Sequence, residues 1–333
     1  MNNFKDDKRK TRRQALGLLS AATLGALGGF AGGLPALALA QGKAAAGTLR
    51  IGYQKYGTLT LLKATGALDK RLAQQGIQLK WIEFPAGPQL LEGLNVGSVD
   101  FGTTGEAPPI FAQAAGADLV YVGHEPPAPA GEAVIVPKNS PLKTAADLKG
   151  KKIALNKGSN VHYLLLKVLE KASIAYKDIE PIYLPPADAR AAFERGSVDA
   201  WVIWDPFFAA AEKQLGARIL VDGQGLVSNH QFYLAARPYA QKNADILRIT
   251  LEELVKVDEW GSKNTADVTA QLASQVGLEP SIVELAAKRF AYGVKPLSEQ
   301  VIREQQNIAD AFADLKLIPK KINIRDAVVA IKL

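Results

Sequence analysis

The chain of 333 residues contains no cysteine. Disulfides, thiolate nucleophiles and Cys-based zinc sites are therefore excluded, as is a lipid tether through an N-terminal cysteine. Histidine is nearly as scarce: His124, His162 and His230 are the three present, far apart and at no metal-ligand spacing. There is no Gly-x-Ser-x-Gly elbow, no P-loop and no dinucleotide glycine fingerprint. These absences point to no cofactor, no metal and no enzyme; the alternative is an active site assembled from residues distant in sequence. The formal charge of +7 is also a local matter. Lys5, Lys8, Arg9, Lys10, Arg12 and Arg13 face only Asp6 and Asp7 within the first forty residues, and the remainder is close to charge balance. Without a clustered basic face carrying aromatic residues, no nucleic acid is expected as a partner.

That basic start leads into Gln14 to Gly42, which carries no charge. Ala38-Leu39-Ala40 fits the small-residue cleavage rule, so residues 1–40 read as an export signal removed before Gln41. Thr11-Arg12-Arg13-Gln14-Ala15-Leu16 partly matches a twin-arginine signal, which leaves the export route open. The alternative is a permanent anchor, since the uncharged stretch is long enough to span a bilayer. Export without tether or disulfide suits a bacterial periplasm.

Gly97-Ser98-Val99-Asp100 recurs as Gly196-Ser197-Val198-Asp199. A helical pattern precedes each copy, and a short apolar run ending in a polar corner follows. Strands alternate with helices up to about Ala236, and from Ala240 onward the pattern is helical; the alternation implies mostly parallel sheets flanked by helices. Two similar lobes follow: a discontinuous one from 48–135 and 236–333, and a second from 137–232. Chain crossings near 133–137 and 232–237 would form a two-segment hinge. A single helix is expected from Gly57 to about Gln75, and Pro206 is expected just inside a helix.

Ligands of open α/β sheets bind beyond the carboxyl ends of strands. The corners at Tyr53-Gln54-Lys55-Tyr56-Gly57-Thr58, at Thr103-Thr104-Gly105 and at Gly158-Ser159-Asn160-Val161-His162 each join a strand to a helix. Glycine there permits close approach, and free N–H groups with the helix dipole favour an anion. Thr58, Thr104 and Ser159 have a plainer role open to them as helix caps, and so has Asp205. His162 could equally satisfy a backbone carbonyl. Trp204 beside a polar corner suits the wall of a site. The aspartates of the repeated tetrapeptide read as turn formers.

These corners also carry a resemblance. Ile51-Gly52-Tyr53-Gln54-Lys55, Glu83-Phe84-Pro85-Ala86-Gly87-Pro88-Gln89, Leu94-Asn95-Val96-Gly97-Ser98-Val99-Asp100 and Ile203-Trp204-Asp205-Pro206 resemble segments of the aliphatic sulfonate-binding proteins of bacterial ABC importers. So do Pro108-Pro109-Ile110-Phe111 and Phe232-Tyr233-Leu234-Ala235-Ala236-Arg237-Pro238. The resemblance implies a two-lobed periplasmic-binding-protein type II fold that closes on an alkanesulfonate and docks transiently on an inner-membrane permease. It implies ligand contacts at Gln54, Gly57 and Thr58, at Thr104, Gly105 and Glu106, at Gly158, Ser159, Asn160 and His162, and at Trp204 and Asp205. Glu106 stands where aspartate is frequent, and Asn160 where serine is. Taurine and nitrate are the alternative ligands, and a monomer is the expected state.

Overall fold

The computed structural model describes residues 47–332 apart from Tyr56. The expected export signal at 1–40 lies outside the described residues. The chain begins with β1 (Gly47–Tyr53), α1 (Gly57–Thr65), α2 (Ala67–Ala73), β2 (Ile77–Glu83) and α3 (Gly87–Asn95). It continues through β3 (Phe101–Gly105), α4 (Ala107–Ala114), β4 (Leu119–His124), β5 (Glu132–Val136) and β6 (Lys152–Leu155). Next come α5 (Asn160–Lys171), β7 (Glu180–Tyr183), α6 (Pro186–Glu194), β8 (Ala200–Trp204), α7 (Phe207–Leu215) and β9 (Arg218–Asp222). Then follow β10 (Gln231–Ala236), α8 (Arg237–Lys242), α9 (Ala244–Gly261), α10 (Thr265–Val276), α11 (Pro280–Ala287) and α12 (Glu299–Asp314).

The strands form two five-stranded sheets, ordered β2-β1-β3-β10-β4 and β7-β6-β8-β5-β9. Each is mixed for the same reason. The strand arriving from the other sheet enters antiparallel: β10 against β3 and β4, and β5 against β8 and β9. Thus β5 belongs to the second sheet and β10 to the first. The crossings expected at 133–137 and 232–237 fall instead in the connections 125–131 and 223–230, because the apolar runs at 132–136 and 231–236 pair at once as strands.

Alternation along the central strands sorts the core. Leu49, Ile51, Val120, Val122, Tyr233 and Ala235 face one side of the first sheet, with Leu61 and Leu251 from α1 and α9. Leu119, Tyr121, Phe232 and Leu234 face the other side, with Leu90, Ile110 and Phe312 from α3, α4 and α12. The second sheet buries Val134, Ile153 and Val202 against Leu164, Leu165 and Phe193 of α5 and α6.

The repeated tetrapeptide does the same work twice. Gly97 and Gly196 take φ of 74° and 67°, a conformation glycine adopts without a Cβ penalty, and each ends a helix. Ser98 N then donates to Gly93 O and Ser197 N to Ala192 O, both at 2.9 Å, which satisfies a terminal carbonyl. Asp100 Oδ2 accepts from Arg50 N, and Asp199 Oδ2 from Lys152 N, both at 2.8 Å. The aspartates thus clamp the next strand to its neighbour rather than forming the turn, because a strand backbone N–H 50 or 47 residues away comes within reach of the carboxylate. Asp100 also pairs with the Arg50 guanidinium at 2.6 Å. Asp100→Ala is expected to cost about 2 kcal/mol in urea unfolding, the worth of a charge-assisted hydrogen-bond set at a partly exposed pair. Asp199→Ala, which lacks the arginine, should cost about half that.

Two further expectations change. The helix over 57–75 is two helices, because Gly66 at φ 62° turns the chain between them. Pro206 precedes α7 rather than lying inside it, after a cis peptide bond with Asp205.

Candidate functional site

The carboxyl ends of β1, β3 and β8 meet the amino ends of α3, α4 and α5 around one narrow crevice. Gln54, Gly87, Gly105, Pro108, Ser159, Asn160, Trp204, Asn229 and Gln231 line it. Its free volume is about 20 Å³, room for about one water. Gly105, at the end of β3, faces Asn160, at the start of α5. A Cβ on Gly105 would lie 2.9 Å from Asn160 Cγ and Oδ1, so glycine permits the two sheets to approach this closely. Asn160 Nδ2 donates to Glu132 Oε2 and, at 3.0 Å, to Asn229 Oδ1. Asn229 is held in turn by its donation to Ala128 O at 2.8 Å.

The first turn of α5 brings helix-tip N–H groups to this crevice, since its initial amides have no partner within the helix. Ser159 does not cap them: its hydroxyl donates to Asn156 O at 2.7 Å. The tip of α4 offers fewer donors, because Pro108 and Pro109 have no N–H. Pro108 supplies an apolar edge instead, and Trp204, 7 % exposed, supplies another. Among the described residues no lysine or arginine lines the crevice. Glu132, beside Asn160, is pushed well above the carboxylate range by burial and then by the charge of Glu106.

Of the expected site residues, Gln54, Gly105, Ser159, Asn160 and Trp204 share this crevice. The others take different places, and the polar side chains among them do so because a buried polar atom must find a partner. Thr58 Oγ1 donates to Glu125 Oε1 at 2.9 Å and lies 3.1 Å from the Tyr233 hydroxyl, while Gly57 opens α1 at φ 76°. Thr104 Oγ1 donates to Gly105 O at 3.0 Å, so it serves the backbone behind the crevice. Glu106 turns to the backbone N–H of His230 at 3.1 Å and lines a separate cavity of about 300 Å³ with Tyr163, Glu304 and Gln305. Burial pushes its carboxyl up to about 8.

His162 is wholly buried, and both ring nitrogens are engaged. Gly158 N donates to Nδ1 at 3.3 Å, which leaves the proton on Nε2 for the Tyr176 hydroxyl at 3.0 Å. Burial, then Lys157, lowers its pKa to about 4, so the ring is neutral and serves the structure. Gly158 itself packs on the Phe111 ring. Asp205 Oδ1 accepts from Ala209 N at 3.0 Å and pairs with Arg289, whose guanidinium also binds Glu212 at 2.7 Å and covers the Phe208 ring. Burial pushes Asp205 up to about 7 even with Arg289 opposing the shift.

Gly87, Pro108, Asn229 and Gln231 complete the crevice without having been anticipated. For Gly87 a signal existed: it stands within Pro-Ala-Gly-Pro at a helix start, and a Cβ there would strike Pro108 Cγ at 2.9 Å. Nothing local marks Asn229, which takes a φ of 51° in the connection between the sheets.

Comparison with known proteins gives the family. The NMT1/THI5-like family model matches residues 72–252. An aliphatic sulfonates-binding protein of Escherichia coli K12 is 50 % identical over 282 residues, covering 84 % of this chain and 88 % of its own. Among solved structures, the alkanesulfonate-binding protein SsuA of Xanthomonas axonopodis pv. citri bound to MOPS superposes with a TM-score of 0.81 at 45 % identity, covering 85 % of this chain and 98 % of that one. The periplasmic aliphatic sulphonate binding protein SsuA of Escherichia coli gives 0.78 at 48 % identity, over 86 % of this chain and 92 % of its own. The mixed two-sheet architecture is that of periplasmic binding proteins, and the chain belongs to the aliphatic sulfonate-binding protein family.

Proposed function

We propose that this chain is a periplasmic receptor that captures an aliphatic sulfonate in the crevice and delivers it to an ABC permease. The observation that carries this reading is the crevice itself. It gathers helix-tip N–H groups, two asparagines, two glutamines and an indole, with no cationic side chain among the described residues. A sulfonate remains ionised at neutral pH and only accepts hydrogen bonds, so neutral donors suit it. The alkyl chain gains about 0.8 kcal/mol for each methylene withdrawn from water against Trp204 and Pro108.

The two sheets are then the cores of two lobes joined by the connections 125–131 and 223–230. A free volume of about 20 Å³ cannot admit an organic anion, so the lobes part for entry and close on the ligand. Residues 1–40 serve as an export signal, and the mature chain acts as a monomer. It performs no chemistry on its ligand: His162, the histidine of the α5 corner, has both nitrogens bound within the protein.

Titration calorimetry with ethanesulfonate, butanesulfonate, taurine, sulfate and nitrate tests the reading. The alkanesulfonates are expected to bind at least about tenfold more tightly than either inorganic anion. Equal affinity for sulfate and butanesulfonate would refute a site built for a tail, and recovery of a desulfonated product would refute a receptor.

A further inference from the structure

Away from the crevice, the units built on the two sheets touch again where α7 meets α11. Each of these helices has two buried faces. Phe208 and Ala211 of α7 pack into the core of the second sheet, and Val283 and Ala287 of α11 into the core of the first. The adjoining residues Ala209 and Ala210 of α7 and Ile282 and Ala286 of α11 are buried against one another in a small cluster of their own. Three alanines among these four residues make the seam apolar and small in area.

Arg289, two residues beyond the end of α11, reaches across this seam. Its guanidinium donates to both oxygens of Asp205 at 3.3 Å and to Glu212 Oε2 at 2.7 Å, and covers the Phe208 ring at 4.0 Å. Asp205 directly follows β8, while Phe208 and Glu212 belong to α7. Among the described residues, every hydrogen-bond partner of this guanidinium therefore lies with the second sheet, although its own backbone is carried with the first. The Asp205 side chain is fully buried and that of Arg289 is 14 % exposed, so the pair is withdrawn from water. Trp204, the residue before Asp205, lines the crevice. One corner of the chain thus takes part in both contacts.

We infer that Arg289 is a positioning residue for ligand capture: it clasps α7 and α11 together when the lobes close, and so retains a ligand that it does not touch. The inference rests on the receptor reading above. An interaction present in both the open and the closed arrangement leaves their ratio unchanged, and one made in the closed arrangement alone shifts it. The Arg289 contacts are of the second kind, because parting the two units returns the guanidinium and both carboxylates to water. The clasp must break before the headgroup can leave, so its contribution is to residence time. Lysine is a poor substitute, since one ammonium cannot lie flat on Phe208 and bridge two carboxylates.

The chain has no cysteine, so a single introduced thiol reports on the seam alone. Ala210→Cys places it between α7 and α11, where the alanine is 2 % exposed. Its rate of reaction with an aromatic disulfide is expected to fall about tenfold when butanesulfonate saturates the protein, and to rise about tenfold without ligand when Arg289→Ala is added. Ala286→Cys repeats the measurement from α11 and guards against a packing defect in the first variant. In the cysteine-free chain, Arg289→Ala should weaken butanesulfonate binding about ten- to thirtyfold through faster dissociation, with association not slowed and Arg289→Lys intermediate. Glu212→Gln, a milder change on the opposite helix, should weaken it about threefold and guards against a folding defect in the arginine variants. An arginine that serves stability alone would lower the unfolding free energy in urea and leave affinity and dissociation unchanged, which overturns the clasp and leaves the receptor reading in place. Equal thiol reactivity with and without bound butanesulfonate, from both helices, also overturns it by showing that the seam stays packed. Failure of wild-type protein to bind butanesulfonate or any other sulfonate overturns the receptor reading itself.

Discussion

Replacing Glu106 by glutamine should make the protein more stable at pH 8 than the wild type, and should flatten its loss of stability between pH 5 and 8. Glu106 is 1 % exposed, with Oε2 accepting from His230 N and Oε1 without a hydrogen bond among the described residues. Burial raises its pKa from the ordinary 4.5 to about 8, with the charge of Glu304 adding to the rise and the backbone N–H groups of His230 and Asn229 opposing it. The sign follows from proton counting. Below the ordinary value both folded and unfolded chains are protonated. Between that value and about 8 the unfolded chain releases the proton while the folded chain keeps it, so stability falls as pH rises. A shift of this size corresponds to roughly 4 kcal/mol across the window. Glutamine has nearly the same shape, retains an acceptor for His230 N, and does not titrate.

Glu125 and Asp205, each near 7, and Asp258, near 8, are raised by burial as well and keep part of the slope in the variant. His162 acts on the acid side. Its pKa of about 4 costs stability as pH falls below the ordinary histidine value, so the wild type should be most stable in the mildly acidic range. Urea unfolding of both proteins at pH 5, 6.5 and 8 measures the difference. Parallel pH profiles for wild type and Glu106→Gln would mean that Glu106 does not hold its proton in the folded chain.

Gly105→Ala should weaken ligand binding ten- to a hundredfold and leave unfolding free energy almost unchanged. The backbone at Gly105 pairs regularly with Gln231 in the sheet and does not need positive φ, so alanine fits the strand itself. The obstacle is across the crevice: the new methyl group would meet Asn160 Cβ, Cγ and Oδ1 at 2.9–3.0 Å. Asn160 cannot swing away freely, because Glu132 and Asn229 hold its amide. Overpacking of this kind costs about 1–3 kcal/mol, and the middle and upper part of that range is ten- to a hundredfold in affinity. The cost falls on the closed arrangement, since parting the lobes relieves it. Adding Asn160→Ala to Gly105→Ala should recover part of the loss, with a coupling of about 1 kcal/mol in the double-mutant cycle. Additive losses would place the alanine methyl away from Asn160.

Much of this was legible before any coordinates. The glycine turns at Gly97–Ser98 and Gly196–Ser197 depend on neighbours within a few residues, so their ending of helices could be read directly, whereas Asp100 and Asp199 bond to strands 50 and 47 residues away. The crevice was legible at five positions, Gln54, Gly105, Ser159, Asn160 and Trp204, because strand ends followed by glycine and a helix start are local patterns. Membership of a corner did not decide which way a side chain faces. Thr58 meets Glu125 and Tyr233, which lie 67 and 175 residues away, and Glu106 meets His230 at a separation of 124. Such partners have no short-range signature.

The sequence by itself determined the order of strands and helices, the paired helix–turn–strand units, the lack of thiol chemistry, and the resemblance that pointed to a sulfonate. Hydrophobic period, glycine at helix ends and residue inventory are properties of short stretches, and they survive in any arrangement of the chain. Only the tertiary structure decided that β5 and β10 exchange sheets, that His162 and Asp205 are consumed by Tyr176 and Arg289, and that Asn229 and Gln231 join the crevice. A buried donor or acceptor takes the partner that folding brings within reach, and that choice is made between segments which the sequence keeps far apart.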